Sequence, residues 1–169
     1  MKNGIAAALL VVMAGMAHAG NTGTAAIDRQ MEIDAVMAPI RTPTQLAHHI
    51  RSVRDSPLDK LPPRARREFL DSLAFTPEGL GGFSHLPLAS ASLSVDDAYR
   101  ILQLFGMQGM ISSIPNLFPR NETETAILEV AVQPHASMPR WMNSVCIIHG
   151  RVRECRPHYG YNCSKACDD

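Results

Sequence analysis

The chain has 169 residues, and its 16 basic side chains are balanced by 16 acidic ones. That balance argues against a dedicated nucleic-acid binder, which needs a basic face to meet phosphates. Aromatic residues make up only 5% of the chain, so any core must draw mainly on Leu, Ile, Val, Met and Ala.

The first residues read as an export signal. Lys2 supplies a positive start, Ile5 to Met16 an apolar stretch, and Ala17-His18-Ala19 the small-x-small pattern that a signal peptidase reads. Cleavage is expected after Ala19, with the mature chain starting at Gly20. The apolar stretch is well short of the ~20 residues a spanning helix needs, so no stable membrane insertion is expected after cleavage. The short basic start, the cleavage pattern and the preference for Arg over Lys read as bacterial, which makes the periplasm or the exterior the expected destination. The mature chain keeps 15 basic residues against 16 acidic ones once Lys2 is removed. Its length fits one fold of ordinary size.

Residues 20–40 read as a flexible lead-in of small and polar residues, with Met31, Ile33, Val36 and Met37 enough for a short helical turn. A helical domain is expected over 41–133. Its first helix opens at Thr42, with Pro43 at the first helical position and Gln45 completing a capping box. Leu46, Ile50 and Val53 then form an apolar stripe. A second helix starts at Pro62-Pro63, buries Ala65, Phe69 and Leu73, and stops near Phe75-Thr76-Pro77, followed by a Gly-rich turn through Phe83. A third is capped by Ser94, with Asp96 and Asp97 at its positive end, Val95, Ala98, Leu102 and Phe105 on its buried face, and Gly106 as its stop. Residues 107–119 read as irregular. Asn121 with Glu124 caps a short helix towards Val132, a segment whose β-branched run also suits a strand. Residues 134–139 read as a linker.

All four cysteines lie in the segment 140–169: Cys146, Cys155, Cys163 and Cys167. An even count in an exported chain reads as two disulfides. A hairpin is expected around His149-Gly150-Arg151: a turn centred on Gly150-Arg151 places Cys146 opposite Cys155, one centred on His149-Gly150 shifts Cys155 to a diagonal position, and in either register the two share a face. Three connectivities remain open. The fold class implied is mainly α: a small bundle of about three helices over 42–106, with a disulfide-stapled β-hairpin tail that is separate from it.

Catalytic patterns are weak. Ser84 and His85 are adjacent near glycines but do not form the G-x-S-x-G elbow. His48 and His49 are about 100° apart around a helix and so cannot share one ion. His149, His158 and the cysteines have the residue types of a zinc site, but an oxidising compartment favours disulfides. No cofactor is expected. Arg51, Arg54, Arg64 and Arg67, with Arg66 among them, form one basic set; Arg151 and Arg153, near Arg140 and Arg156, form another. Both are candidates for contact with a partner. The expected function is non-enzymatic: an exported protein-binding module of the inhibitor, immunity or envelope-accessory kind, whose partner is another envelope or secreted protein and not a nucleic acid. The alternatives are a small hydrolase with dispersed active residues and metal binding by the Cys/His tail. The sequence does not set an oligomeric state.

Overall fold

The computed structural model describes residues 21–131 and 141–167, with side chains from residue 29 onward. The expected signal peptide and the 134–139 linker lie outside the described residues. In chain order come α1 (Asn21–Met37), α2 (Pro43–Ser52), a 3-10 turn (Pro57–Lys60), α3 (Pro63–Asp71), β1 (Ala74–Thr76), β2 (Gly79–Ser84), α4 (Leu86–Ser90) and α5 (Val95–Gln103). A 3-10 turn (Gln108–Ser113), α6 (Glu122–Ala131), β3 (Met142–His149), β4 (Val152–Cys163) and a last 3-10 turn (Lys165–Cys167) complete it.

Local sequence sets the helix ends. Thr42 Oγ1 accepts from the Gln45 amide at 3.2 Å, and Gln45 Oε1 reaches back to the Arg41 amide at 2.7 Å. Ser94 Oγ accepts from the Asp97 amide, starting α5, whose Val95, Ala98, Ile101 and Leu102 are buried. Past its end, the Met107 amide bonds the Leu102 carbonyl and the Gly106 amide the Gln103 carbonyl. These are the paired bonds of a Schellman stop with glycine in the left-handed position (φ +70°). A side chain at Gly106 would meet the Asp34 carbonyl at 2.5 Å, so this glycine also seats the backbone of α1. Asn121 caps α6 by accepting from the Glu124 amide, while Glu124 accepts from the Arg120 amide. The helical reading of this segment therefore holds through Ala131.

The fold class differs from the sequence expectation. The protein is mixed, 51% helical and 22% strand, and not a helical bundle with a hairpin tail. Its sheet is antiparallel in the order β1-β2-β4-β3. Residues 74–84, expected as a helix end and a Gly-rich turn, are two of its strands. β2 pairs with β4 through Gly82↔Cys163, Phe83↔Asn162 and Ser84↔Tyr161, so the cysteine-bearing segment is woven into the same sheet. The misreading has a physical source. Every residue of β2 is buried, so it carries no polar alternation, and its glycines mark close approach rather than a turn. A Cβ on Gly82 would lie 2.8 Å from the Asn162 carbonyl and 3.1 Å from Cys146 Cβ.

The β3–β4 hairpin turns at Gly150-Arg151, with Gly150 at φ +61°, and places Cys146 opposite Cys155. Further along, the pairing jumps from Ser144↔Pro157 to Met142↔Asn162, so two steps of β3 face five of β4. β4 bends there. Gly160 (φ +86°) and Asn143 (φ +51°) take left-handed conformations, and Asn143 Oδ1 accepts from the Gly160 amide. The bend brings Cys155 and Cys163 to a Cα separation of 5.9 Å. In an extended strand eight residues would span about 26 Å.

One core runs through both parts. Phe69 stands edge-on to Phe83 and Phe105, at 6.1 and 5.9 Å between ring centres. Cys146, Cys163 and Cys167 belong to the same buried cluster as Ile101, Leu102 and Phe105. The stripe expected on α2 is a second correction. The helix buries no residue, and Ile50 and Val53 are 42% and 43% exposed. The stripe has the right period, but no element packs over its far end.

Candidate functional site

The cysteines settle into two disulfides, Cys146–Cys167 and Cys155–Cys163, cross-linking the hairpin to the bend and to the last turn. All four sulfurs are thereby engaged, which removes the thiolates that a zinc set would need. Cys146, Cys163 and Cys167 hold their sulfurs within 4.8 Å of one another, because the two disulfides lie against each other. His149 and His158 are exposed on the hairpin and beside the bend. Disulfides of this kind belong to an oxidising, extracellular-type environment. Among the described residues, no helix is long and apolar enough to cross a membrane.

Ser84 and His85 do not face each other as nucleophile and base. Ser84 Oγ donates to the Gly160 carbonyl at 2.9 Å. His85 is buried where β2 runs into α4, with Tyr159 edge-on to its ring. Burial pushes its imidazole below the usual histidine value, and the nearby Asn162 amide acts in the opposite direction without overcoming it. Asn162, fully buried, donates to Ser113 Oγ at 2.5 Å, and Ser113 Oγ donates to the Met110 carbonyl. His85 Nδ1 and Asn162 Oδ1 have no partner at full hydrogen-bonding geometry. This polar strut ties β4 to the 3-10 turn Gln108–Ser113. It is closed to substrate.

His48 is exposed, while His49 Nε2 bonds Ser56 Oγ at 2.8 Å. Burial pushes the His49 imidazole down, against the attraction of Asp59.

The arginines fall into two kinds. Arg51, Arg54, Arg67 and Arg151 are exposed. Arg64 pairs with Glu68, and Arg66 with Asp59, each at 2.7 Å. Arg153, with a side chain only 15% exposed, is held by Glu78 and the Ala166 carbonyl, pinning the hairpin to the β1–β2 turn and the last 3-10 turn.

A depression of about 390 Å³ lies between the end of α1 and α5, lined by Asp34, Met37, Pro39, Arg100, Gln103 and Gln108 among others. Its lining holds no histidine, serine or cysteine, and Asp34 is its one carboxylate.

The sheet edges are unlike each other. β1 is three residues long, is shifted in register and runs into Pro77, so it is blunted. β3 is eight residues, Met142-Asn-Ser-Val-Cys-Ile-Ile-His149, with neither a charge nor a proline. Among the described residues no strand pairs with its outer side. Val145 and Ile147 stand half-buried on the face opposite Cys146, flanked by Arg156 and Glu154 on β4. The sequence reading identified this hairpin but did not place it at an edge, since placement depends on the β2–β4 pairing.

No family model, no curated protein and no solved structure matches the chain.

Proposed function

We propose that this chain is an exported, non-enzymatic protein-binding module, and that it takes an extended segment of its partner onto β3 as a fifth strand. The observation that carries the reading is the contrast between the two edges. Folded proteins defend sheet edges with short strands, charges, prolines or cover, because an open edge pairs with any available strand. β1 is defended in that way, whereas β3 is long, has neither acid, base nor proline along it, sets Val145 and Ile147 on its outer face and, among the described residues, has no strand beside that edge. Strand addition gives affinity through main-chain bonds and specificity through alternate side chains, here Val145 and Ile147. Arg151 and the hairpin tip, where Val152 is 64% exposed, adjoin this edge and extend the surface.

The test combines capture with mapping. Tagged mature protein is incubated with native envelope extract or culture supernatant, the bound protein is identified, and the purified pair is followed by hydrogen exchange. Protection of amides in 142–149 on binding, and loss of binding in Ile147→Lys with an unchanged thermal melt, is the expected result. Protection elsewhere, with Ile147→Lys still binding, sinks the strand-addition reading.

A further inference from the structure

The geometry points to Cys155 as a thiol–disulfide exchange site through which an external thiol rearranges both disulfides. The four cysteines are not equally accessible. Cys146, Cys163 and Cys167 are buried, and Cys155 alone is half-exposed on β4. A thiolate from solvent therefore reaches Cys155 Sγ first, and the sulfur it displaces is that of Cys163.

That leaving sulfur does not escape. Cys163 Sγ lies within 4.8 Å of both sulfurs of Cys146–Cys167. Exchange proceeds by attack of a thiolate on a disulfide sulfur, and this proximity makes the second step intramolecular. The chemistry balances without an oxidant. The external thiolate forms a mixed disulfide on Cys155 and frees the Cys163 thiolate. Cys163 attacks Cys167, forming Cys163–Cys167 and freeing the Cys146 thiolate. Cys146 stands opposite Cys155 in the ladder, so it attacks Cys155 and expels the external thiol unchanged. Two disulfides enter and two leave, and the thiol acts catalytically. Its chemical class is a low-molecular-weight thiol or an exported dithiol oxidoreductase.

The two isomers constrain the chain differently. In the observed pairing the hairpin is tied to the last 3-10 turn, and the bend in β4 is locked. In the other, Cys146–Cys155 staples only the hairpin and Cys163–Cys167 only the turn. The disulfide between them is gone, and the hairpin stays on the Gly81-Gly82 platform by packing, the β2–β4 pairing and the Arg153 contacts alone.

The oxidised mature chain is incubated with reduced glutathione at about one tenth of its molar concentration, quenched with iodoacetamide and cleaved without reduction. Cuts after Arg151, Arg153, Tyr161 and Lys165 separate all four cysteines. Peptides joining Cys163 to Cys167 and Cys146 to Cys155 are the expected result. A map holding only the two original linkages, with or without glutathione on Cys155, overturns the relay. In Cys155→Ser/Cys163→Ser the remaining disulfide should open at least about tenfold more slowly than in the parent, because its internal nucleophile is gone. An equal rate shows direct attack on the buried bond and also overturns it. The peptide map needs no variant and stands if the double substitution fails to fold.

Discussion

Gly82 and Cys146 are packed so closely that the first has no room for a side chain: its Cβ would lie 3.1 Å from the Cβ of the second and 2.8 Å from the Asn162 carbonyl. Both neighbours are backbone or backbone-proximal atoms that cannot swing aside. Gly82→Ala should destabilise the fold by about 1–3 kcal/mol, the usual cost of forcing extra volume into a close-packed site. Urea titration of the oxidised protein measures it. A change below about 0.5 kcal/mol would mean that β2 and β3 are farther apart than described.

Acid should weaken the protein before its carboxylates titrate. His85 and His49 both have folded-state values pushed below the ordinary histidine value, chiefly by burial. The unfolded chain therefore binds these protons more readily, and stability falls as pH drops through about 6.5 towards the lower folded values. Glu78, held down by its hydrogen bond to Arg153, acts in a separate window below the ordinary carboxylate range. Unfolding free energies at pH 7.5, 6.5 and 5.5 should decrease in that order, and less steeply in His85→Gln. An identical slope in the variant would remove His85 as a source.

Reduction should act on the whole fold. Loops of 21 and 8 residues are closed by the two disulfides, worth about 3 and about 2.5 kcal/mol in the chain-entropy account. Three of the cysteines belong to the core shared with α5, so the helices should lose stability along with the sheet. Far- and near-ultraviolet dichroism should report one transition at a lowered midpoint. Helices that melt unchanged after reduction would restore a two-part architecture.

Phe69 joins the helical layer to the sheet, standing edge-on to Phe105 on one side and Phe83 on the other. Phe69→Ala should cost about 3–5 kcal/mol through lost burial and the cavity left behind. Thr42→Ala, at an exposed cap, should cost only about 1 kcal/mol. A reversal of this order in thermal melts would mean that the aromatic trio is not the hinge of the core.

What the sequence made legible was local. Thr42, Ser94 and Gly106 marked helix ends because caps are short-range hydrogen-bond patterns, and Gly150 marked the hairpin because its turn demands a left-handed residue. What it hid was long-range. Gly81-Gly82 read as a turn because a glycine needed for close approach and a glycine needed for bending look the same in one dimension. The exposed ends of the α2 stripe, Ile50 and Val53, carried the period of a buried face with nothing to say whether a neighbour exists. Of the candidate partner-binding arginines, Arg153 found Glu78 and the Ala166 carbonyl, contacts that sequence spacing does not reveal. That no described strand lies on the outer side of β3 followed only from the pairing of β4 with β2.

That pairing also fixes an order of events. Gly82 waits for Cys163, its partner 81 positions later (163 − 82), before β2 has a neighbour on that side. A chain made from its N-terminus holds its helices and the β1–β2 pair for some time with the sheet unfinished. The segment that completes the sheet also carries every cysteine. Closure and oxidation therefore fall together at the end, and a chain cut short before residue 161 would lack both the β2–β4 pairing and the bonds that hold it.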